Sequence, residues 1–235
     1  MRNTLIVLTI LCAAQVSAQT VVQQFVAISR GAGTVSDMDL EPTAEGSTLI
    51  AMPFELTPGI KVLSVTDNAP AGGNTYKEVP GSVASCTGAF LDIWYCEKCN
   101  PGVTELKFHL SGHAIASLNA FLEVSGLQPS SVLDGEGVHL TDGARTSAGI
   151  EVGPKIKTSA NDFIIARFSS AMPLPTAASA PWYFKPSYVY LLNASPGTYE
   201  PTLSGKGTGG NYCMGVAAFK AAAASTPPPL AASQK

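Results

Sequence analysis

The feature that most constrains the fold is a two-residue alternation of apolar and polar side chains in the middle of the chain. In residues 103–110, Leu106, Phe108 and Leu110 alternate with charged or polar residues, and a similar alternation returns over residues 114–124. A two-residue period places one set of side chains on a buried face of a β-strand and the other set on the opposite face. Both segments are therefore predicted to be strands.

Turn-forming residues separate these segments from further short apolar runs. The chain has 22 glycines and 17 prolines, and clusters of Gly, Pro, Asn and Asp mark turns. No segment keeps a helical apolar period between two capping signals. The pattern predicts an all-β chain with a single β-sandwich, immunoglobulin-like or jelly roll, over residues 19–220. The further predicted strands are residues 21–28, 48–54, 60–66, 90–96, 163–168, 188–192 and 212–219.

The two ends of the chain differ from this pattern. Residues 1–3 form a short basic start, residues 4–14 are apolar, and small side chains before Gln19 resemble a cleavage site. This layout predicts a signal peptide over residues 1–18 and a secreted, periplasmic or extracellular protein. Residues 221–235 are rich in Ala and Pro and predict a disordered tail.

The charge of the chain argues against several classes of partner. Its formal net charge is −3, and charged residues make up 13% of it. Because nucleic-acid binding needs a basic surface, no nucleic-acid partner is predicted. The apolar start is shorter than the about 20 residues that span a membrane, and no later segment reaches that length, so no transmembrane anchor is predicted.

Four cysteines follow the predicted signal peptide, at positions 86, 96, 99 and 213. In an exported protein such cysteines form disulfides, and four of them allow three pairings. A strand over residues 90–96 would span about 20 Å, whereas a disulfide needs Cα atoms within about 7 Å. Cys86 should therefore not reach Cys96 or Cys99, and the predicted pairs are Cys86–Cys213 and Cys96–Cys99.

The same segment leaves two other kinds of chemistry open. Cys96, Cys99, His109 and His113 approach the spacing of a zinc finger, but a finger places its histidines on a helix and His109 falls in a predicted strand. The Cys96–Cys99 spacing is also that of a thioredoxin-like redox motif, which needs its first cysteine at the start of a helix. Disulfides are the preferred interpretation.

Acidic residues collect in predicted turns. Asp134, Glu136 and Asp142 place carboxylates around one turn, and Ca²⁺ prefers oxygen ligands on loops. Asp and Asn also cap turns through their own backbone, which needs no metal. Asp134, Glu136 and Asp142 are therefore a candidate calcium site, and no other cofactor is predicted. A second, weaker candidate is the turn that carries Asp67, Asn68 and Asn74.

The densest aromatic segment covers residues 180–190. Trp182, Tyr183, Tyr188 and Tyr190 lie there among prolines. If they were exposed, these rings would stack on sugar rings, and if they were buried, they would close one end of the core. The sequence leaves both interpretations open and makes these four residues the candidate ligand-binding set.

Several short segments form a series along the chain. Residues 62–68 read VLSVTDN, residues 74–76 read NTY, and Ile93, Trp94 and Tyr95 follow. Together with residues 121–127, 159–166 and 215–220, they resemble secreted β-sandwich domains of bacteria with Acidobacteria-like genomes, which carry an SVTDNxGNTY signature and then an Ile-Trp-Tyr strand. The resemblance implies an immunoglobulin-like or jelly-roll sandwich, often one module of a larger surface protein.

These observations predict a secreted, non-enzymatic β-sandwich that acts as a surface, matrix or adhesion module. The sequence has no G-x-S-x-G segment, and His109, His113 and His139 stand in no recognisable triad context. One alternative is a carbohydrate-binding protein or glycan-processing accessory that uses the Trp182 segment, and another is an extracellular hydrolase without a recognisable motif. The expected partner is a glycan or a cell-surface or matrix protein.

Overall fold

A computed structural model describes residues 18–223 apart from residues 87 and 208, with backbone alone for residues 30–32. This part of the chain consists of strands, turns and loops and contains no helix, so the predicted all-β class is confirmed. Its strands are β1 (Thr20–Asp39), β2 (Thr48–Met52), β3 (Phe54–Glu55), β4 (Val62–Asp67), β5 (Lys77–Glu78), β6 (Ala84–Cys86), β7 (Ala89–Leu91), β8 (Trp94–Cys96), β9 (Glu105–Ser125), β10 (Val138–Ala144), β11 (Ile150–Val152), β12 (Ile156–Thr158), β13 (Asp162–Ser170), β14 (Pro175–Ala178), β15 (Tyr183–Lys185), β16 (Tyr188–Ala194), β17 (Gly197–Tyr199), β18 (Thr202–Gly205) and β19 (Asn211–Lys220).

The first sheet is organised by β9, which pairs antiparallel with four other strands. Along one side it pairs with β1, from Thr20 opposite Ser125 to Asp39 opposite Glu105. Along the other side it pairs in turn with β2, β3 and β4. β8 and β5 extend the sheet beyond β2, and β7 and β6 extend it beyond β3. β1 therefore forms one border of this sheet.

The second sheet has five antiparallel strands in the order β10-β19-β13-β16-β15. Its central strands β13 and β19 are buried along nearly their whole length. Two smaller sheets, β11-β18-β14 and β12-β17, complete the topology of the described chain. A strand that is apolar on both faces indicates packing on both sides of the sheet.

An apolar cluster lies between the first and second sheets. Ile50 and Leu122 of the first sheet share it with Phe163 and Phe219 of the second, and Tyr95 meets Phe219 edge to face with ring centroids 5.6 Å apart. Two sheets that pack face to face over such a cluster form a β-sandwich, as predicted.

Further apolar clusters cover the outer faces of both sheets. Leu49 and Phe121 of the first sheet pack with Leu106 and Phe108 of the same sheet, which shows that this sheet curls over itself. Beyond the second sheet, its side chains pack against the smaller sheets through residues such as Leu203. Burial of apolar surface on both sides of each main sheet is the main stabilising contribution.

The two alternating segments of sequence are a single strand, β9, rather than two. Register shifts between Arg30 and Val35 of β1 place extra residues first on β1 and then on β9. A shift by an odd number of residues exchanges the faces of a strand. Phe108 and Phe121, at even and odd positions, consequently point into the same cluster.

The predicted strand over residues 90–96 is wrong in one respect, because the structure breaks it into β7 and β8. β7 ends at Leu91 and β8 begins at Trp94. Asp92 interrupts the ladder: its side chain is buried, and its backbone N–H donates to the carbonyl oxygen of Pro53.

Two disulfides join the cysteine pairs that the sequence predicts. Cys86 and Cys213 are bonded with their Cα atoms 5.4 Å apart, which ties β6 of the first sheet to β19 of the second. Cys96 and Cys99 are bonded with Cα atoms 5.8 Å apart, at the end of β8. Disulfides of this kind are compatible with an oxidising, extracellular compartment.

The predicted signal peptide and most of the predicted tail lie outside the described residues. At the C-terminal end of the described chain, Ala221 forms a bridge with Leu127 and Ala222 donates a hydrogen bond to Gly126. Regular pairing therefore continues two residues beyond Lys220. The part of the chain that is described includes no helix with the length and apolarity needed to cross a membrane.

Candidate functional site

Trp182 does not present an open ring surface to solvent. Only 8% of it is exposed, and it packs in the cluster between the second sheet and the smaller sheets, with Leu203 and Val189. Its backbone N–H closes a turn by donating to Ser179. Trp182 therefore belongs to the core, and the predicted sugar-stacking role of this ring is not supported. The large indole ring fills apolar space between the second sheet and the smaller sheets.

Tyr188 and Tyr190 face the opposite side of the second sheet from Trp182. Both are buried and belong to the cluster between the two main sheets. The Tyr188 hydroxyl donates a hydrogen bond to Gln24 Oε1 of β1 at 2.9 Å. Burial raises the pKa of Tyr188 above its ordinary value, with a smaller contribution from Tyr190, so the hydroxyl keeps its proton and remains a donor.

Tyr183 is the exposed member of the predicted aromatic set. It is 52% exposed and stacks on Tyr190, opposite it across β15 and β16, with ring centroids 5.0 Å apart. Tyr190 in turn contacts Tyr188 at 6.5 Å between ring centroids. The four predicted residues are thus divided: Tyr183, Tyr188 and Tyr190 lie together, and Trp182 lies across the sheet.

β1 leads from this aromatic group along the border of the sandwich. It pairs with β9 alone among the described strands, so its second edge carries backbone groups with no strand beside them. Residues 20–29 read TVVQQFVAIS and contain no charged residue, proline or glycine. Such an edge is the ordinary template for adding another strand.

The side chains on this part of β1 are unusually apolar for a sheet border. Val26 is 42% exposed and Ile28 is 59% exposed. Both lie on the same face of β1 as Gln24, because the spacing is two residues. Gln24, Val26 and Ile28, together with Tyr183 of β15, are here named the open-edge surface.

The candidate calcium residues do not form a metal site. Among residues 18–223, as far as they are described, no group of three or more His, Cys, Asp or Glu side chains is placed to hold a metal ion. Asp134 accepts hydrogen bonds from the backbone N–H and the hydroxyl of Ser159, and its Oδ1 lies 3.8 Å from Lys220 Nζ. Asp134 thus anchors a turn, as Asp commonly does, while Glu136 and Asp142 are exposed.

Asp134 has a buried neighbour that no sequence pattern predicts. Asp162 is fully buried at the start of β13, and its burial, with the adjacent Asp134 carboxylate, raises its pKa to about 8. For Asp134, burial alone would raise the pKa, but the neighbouring Asp162, the hydrogen bonds from Ser159 and the charge of Lys220 lower it below its usual value. At neutral pH Asp162 therefore keeps its proton, while Asp134 is ionised.

A second group of carboxyls surrounds the break between β7 and β8. Burial raises the pKa of Asp92 to about 7, the charges of Glu78 and Glu55 add to the increase, and the nearby Trp94 indole and the charge of Lys61 oppose it. Glu55 is almost fully buried and accepts a hydrogen bond from the Ser117 hydroxyl at 2.6 Å. These acids are distant in sequence, and alternation along single strands gives no signal for their proximity.

A cleft of about 490 Å³ opens beside the long disulfide. Phe54, Leu56 and Ala89 of the first sheet form its apolar wall, and Ser169 and Asn211 of the second sheet contribute polar groups. The volume falls in the range of small-molecule pockets. Its lining contains no ionisable side chain, so it offers shape and apolar contact rather than acid–base chemistry.

The zinc and redox alternatives find no support in this geometry. Cys96 and Cys99 are joined in a disulfide, which leaves neither as a thiolate ligand for zinc. Cys96 ends strand β8 instead of beginning a helix, which is the position that a thioredoxin-like motif needs. His109 lies on β9, where its Nε2 is 2.8 Å from the hydroxyl of Thr66 on β4. The cysteines and His109 therefore serve turn and strand contacts.

Comparison with known proteins gives no further guide to the role of these features. No model of a known protein family matches the chain, and no curated protein matches it.

Proposed function

We propose that this chain is an exported, non-enzymatic β-sandwich that serves as a surface, matrix or adhesion module. The observation that carries the proposal is the unpaired, uncharged border of β1 with its exposed Val26 and Ile28. A partner protein that presents an extended segment would add a strand to this border. In that mode the backbone hydrogen bonds provide affinity, and the apolar side chains provide selectivity.

Two other features support a role outside the cytoplasm. Residues 1–18 have the layout of a signal peptide, and the chain carries two disulfides. The disulfide between Cys86 and Cys213 links the two main sheets, and such a bond is stable in an oxidising compartment outside the cytoplasm. The open-edge surface lies on rigid strands rather than on a loop, which reduces the ordering cost of binding.

The proposal is tested by displaying the mature domain on cells that do not adhere by themselves and measuring their attachment to surfaces coated either with extracellular matrix proteins or with the purified domain itself. We expect display of the unmodified domain to increase attachment and Val26→Lys to remove the increase. A lysine on a sheet border opposes strand addition, because its charge would have to be buried in the new contact.

The matched control is Leu63→Lys, which introduces the same charge at an exposed apolar residue of β4 on the other side of β9. Leu63→Lys should attach like the unmodified domain. Equal attachment of Val26→Lys and the unmodified domain, at equal display levels, would contradict the use of β1.

One observation favours the carbohydrate-binding alternative. The exposed ring of Tyr183, supported from behind by Tyr190, has the arrangement of a small stacking platform for a sugar. Binding to a glycan array that is lost in Tyr183→Ala and kept in Val26→Lys would select this alternative.

A further inference from the structure

We propose that the partner of the open-edge surface is a second copy of this chain, bound through antiparallel pairing of the two β1 strands about a two-fold axis at Val26. This inference rests on the proposed function, because it uses the same border of the first sheet. It adds the identity of the partner and a specific register.

β1 differs from the other described border strands because it combines length with a ten-residue uncharged stretch; β6, β14 and β17 also lack charge but have only three or four residues. β5 consists of Lys77 and Glu78, β15 ends in Lys185, and β4 ends in Asp67. Charged residues at borders are the usual protection against unwanted strand pairing. In β1, residues 20–29 lack such protection over a stretch long enough to pair.

Self-pairing is favoured by the absence of charge. In an antiparallel contact about a two-fold axis, each residue near the centre lies opposite itself or a close neighbour. A single charge there would face its own copy, and like charges directly opposite one another are destabilising. Residues 23–29 can therefore meet their own copy at no electrostatic cost, and apolar Val26 and Ile28 are covered on both chains.

The register follows from the bulges and from the faces of the strand. Pairing with β9 is regular from Gln23 to Arg30, between register shifts on either side. Two residues that lie directly opposite each other in a sheet point to the same face, whereas successive residues of one strand point to opposite faces. The two-fold axis must therefore pass where a residue lies opposite its own copy, and it cannot pass midway between two successive residues. Placing it at Val26 sets Val26 against its own copy and Gln24 against Ile28, and it uses the regular stretch almost symmetrically.

The size of this contact is sufficient for a specific dimer. Pairing of about seven residues on each chain provides about seven backbone hydrogen bonds, within the about 10 ± 5 found at typical interfaces. Both first sheets then form one continuous sheet across the axis.

The test is the mass of the mature, disulfide-bonded protein by sedimentation equilibrium. We expect twice the mass of one chain at micromolar concentration, and a single-chain mass for Val26→Lys and for Ile28→Lys. Leu63→Lys should keep the dimer. Circular dichroism and the melting temperature of each variant show whether it is folded, and using two β1 variants protects the test against failure of one to fold.

The register has a separate test. In Val26→Cys the two introduced thiols should lie within reach of each other, since directly opposite Cβ atoms are about 4.5–5.5 Å apart. Mild oxidation should give a covalent dimer on a non-reducing gel in Val26→Cys and not in Leu63→Cys, with peptide mapping to show that the native disulfides are kept.

A single-chain mass for the unmodified protein at high concentration would overturn the proposal, and so would a dimer that persists in folded Val26→Lys and Ile28→Lys. If the protein is a monomer but Val26→Lys still removes adhesion, the second copy is excluded and the proposed function stands. If Val26→Lys removes the dimer but leaves adhesion unchanged, the dimer stands and the proposed function of this border is excluded.

Discussion

The Tyr188 hydroxyl donates a hydrogen bond to Gln24 Oε1 at 2.9 Å and thereby joins the two main sheets beside the open-edge surface. Because Tyr188 is buried, its donor group has no solvent to replace a lost acceptor. The bond holds the border of the first sheet at a fixed distance from β16. Removing this hydrogen bond should therefore lower the free energy of unfolding by a measurable amount.

Tyr188→Phe should lower the free energy of unfolding by about 1 kcal/mol, the typical net value of a hydrogen bond of this kind. Urea titration monitored by circular dichroism measures the loss. Tyr199→Phe is the matched control, because the Tyr199 hydroxyl bonds to Ser195, four residues away at an exposed site. An equal loss of stability in both variants would show that the hydrogen bond between the sheets stabilises the fold no more than an exposed local hydrogen bond does.

The long disulfide should contribute far more stability than the short one. Cys86 and Cys213 are 127 positions apart, whereas Cys96 and Cys99 are three apart. In the chain-entropy description, a loop of that length contributes about 4–5 kcal/mol and a four-residue loop about 2 kcal/mol. Replacing both Cys86 and Cys213 with Ala should therefore lower the urea midpoint much more than replacing Cys96 and Cys99.

Peptide mapping under non-reducing conditions provides the direct check on these pairs. A fragment in which Cys86 is joined to Cys96 or Cys99 would contradict the connectivity itself. Equal midpoints for the two double variants would contradict the entropic explanation.

Trp182→Ala should lower the free energy of unfolding by about 3–5 kcal/mol, as for other buried aromatics. Tyr183→Ala removes a half-exposed ring of similar kind and should cost about 1 kcal/mol through the lost stacking on Tyr190. Thermal and urea unfolding of the two variants distinguish a core position from a surface position. A nearly unchanged stability in Trp182→Ala would contradict the core position of Trp182 and make it a candidate ligand contact again.

Stability should fall as the pH rises from about 4 to about 8, because Asp162 keeps its proton in the folded chain. An unfolded Asp titrates near pH 3.9, whereas burial raises the pKa of Asp162 to about 8. Within this window the unfolded chain has released a proton that the folded chain still holds, so higher pH favours unfolding.

Asp162→Asn should make this dependence less steep, since the amide cannot ionise. Urea midpoints measured between about pH 5 and about pH 8.5 compare the variant with the unmodified protein. Asp92, whose pKa burial raises to about 7, changes the stability of both proteins in the same direction, so its effect cancels in the difference. Parallel pH profiles would contradict the raised pKa of Asp162.

The mature chain is expected to begin at Gln19, because residues 16–18 resemble a cleavage site. Intact-mass measurement of exported protein provides the check. A mass that retains residues 1–18 would contradict the prediction.

The long alternating segments made the central part of the fold predictable. Over residues 114–124 the period is two, and Ala120, Leu122 and Val124 do enter the cluster between the two main sheets. The offset within β9 was not predictable, because it arises from register shifts opposite β1, and the sequence of one strand does not indicate the register of its partner. The three- and four-residue strands of the smaller sheets were also missed, since such short segments show no period.

The candidate site could be predicted only in part, because its geometry also depends on how the strands pair. The density of rings near Trp182 is visible in the sequence, but the face that each ring occupies depends on the pairing of β15 with β16. The proximity of Asp134 to Asp162 brings a turn residue next to the first residue of β13, and no local sequence pattern connects the two. The open border of β1 becomes visible only when the neighbours of every strand are known.

The order of strands along the chain also has a consequence for biogenesis. β1 is made early, yet β9, its one partner among the described strands, follows only after β2 to β8. Until β9 emerges, an uncharged apolar segment has nothing to pair with, and such segments aggregate readily. Production of this protein should therefore depend on a holding chaperone during translocation, and the need should end when residue 125 has entered the compartment.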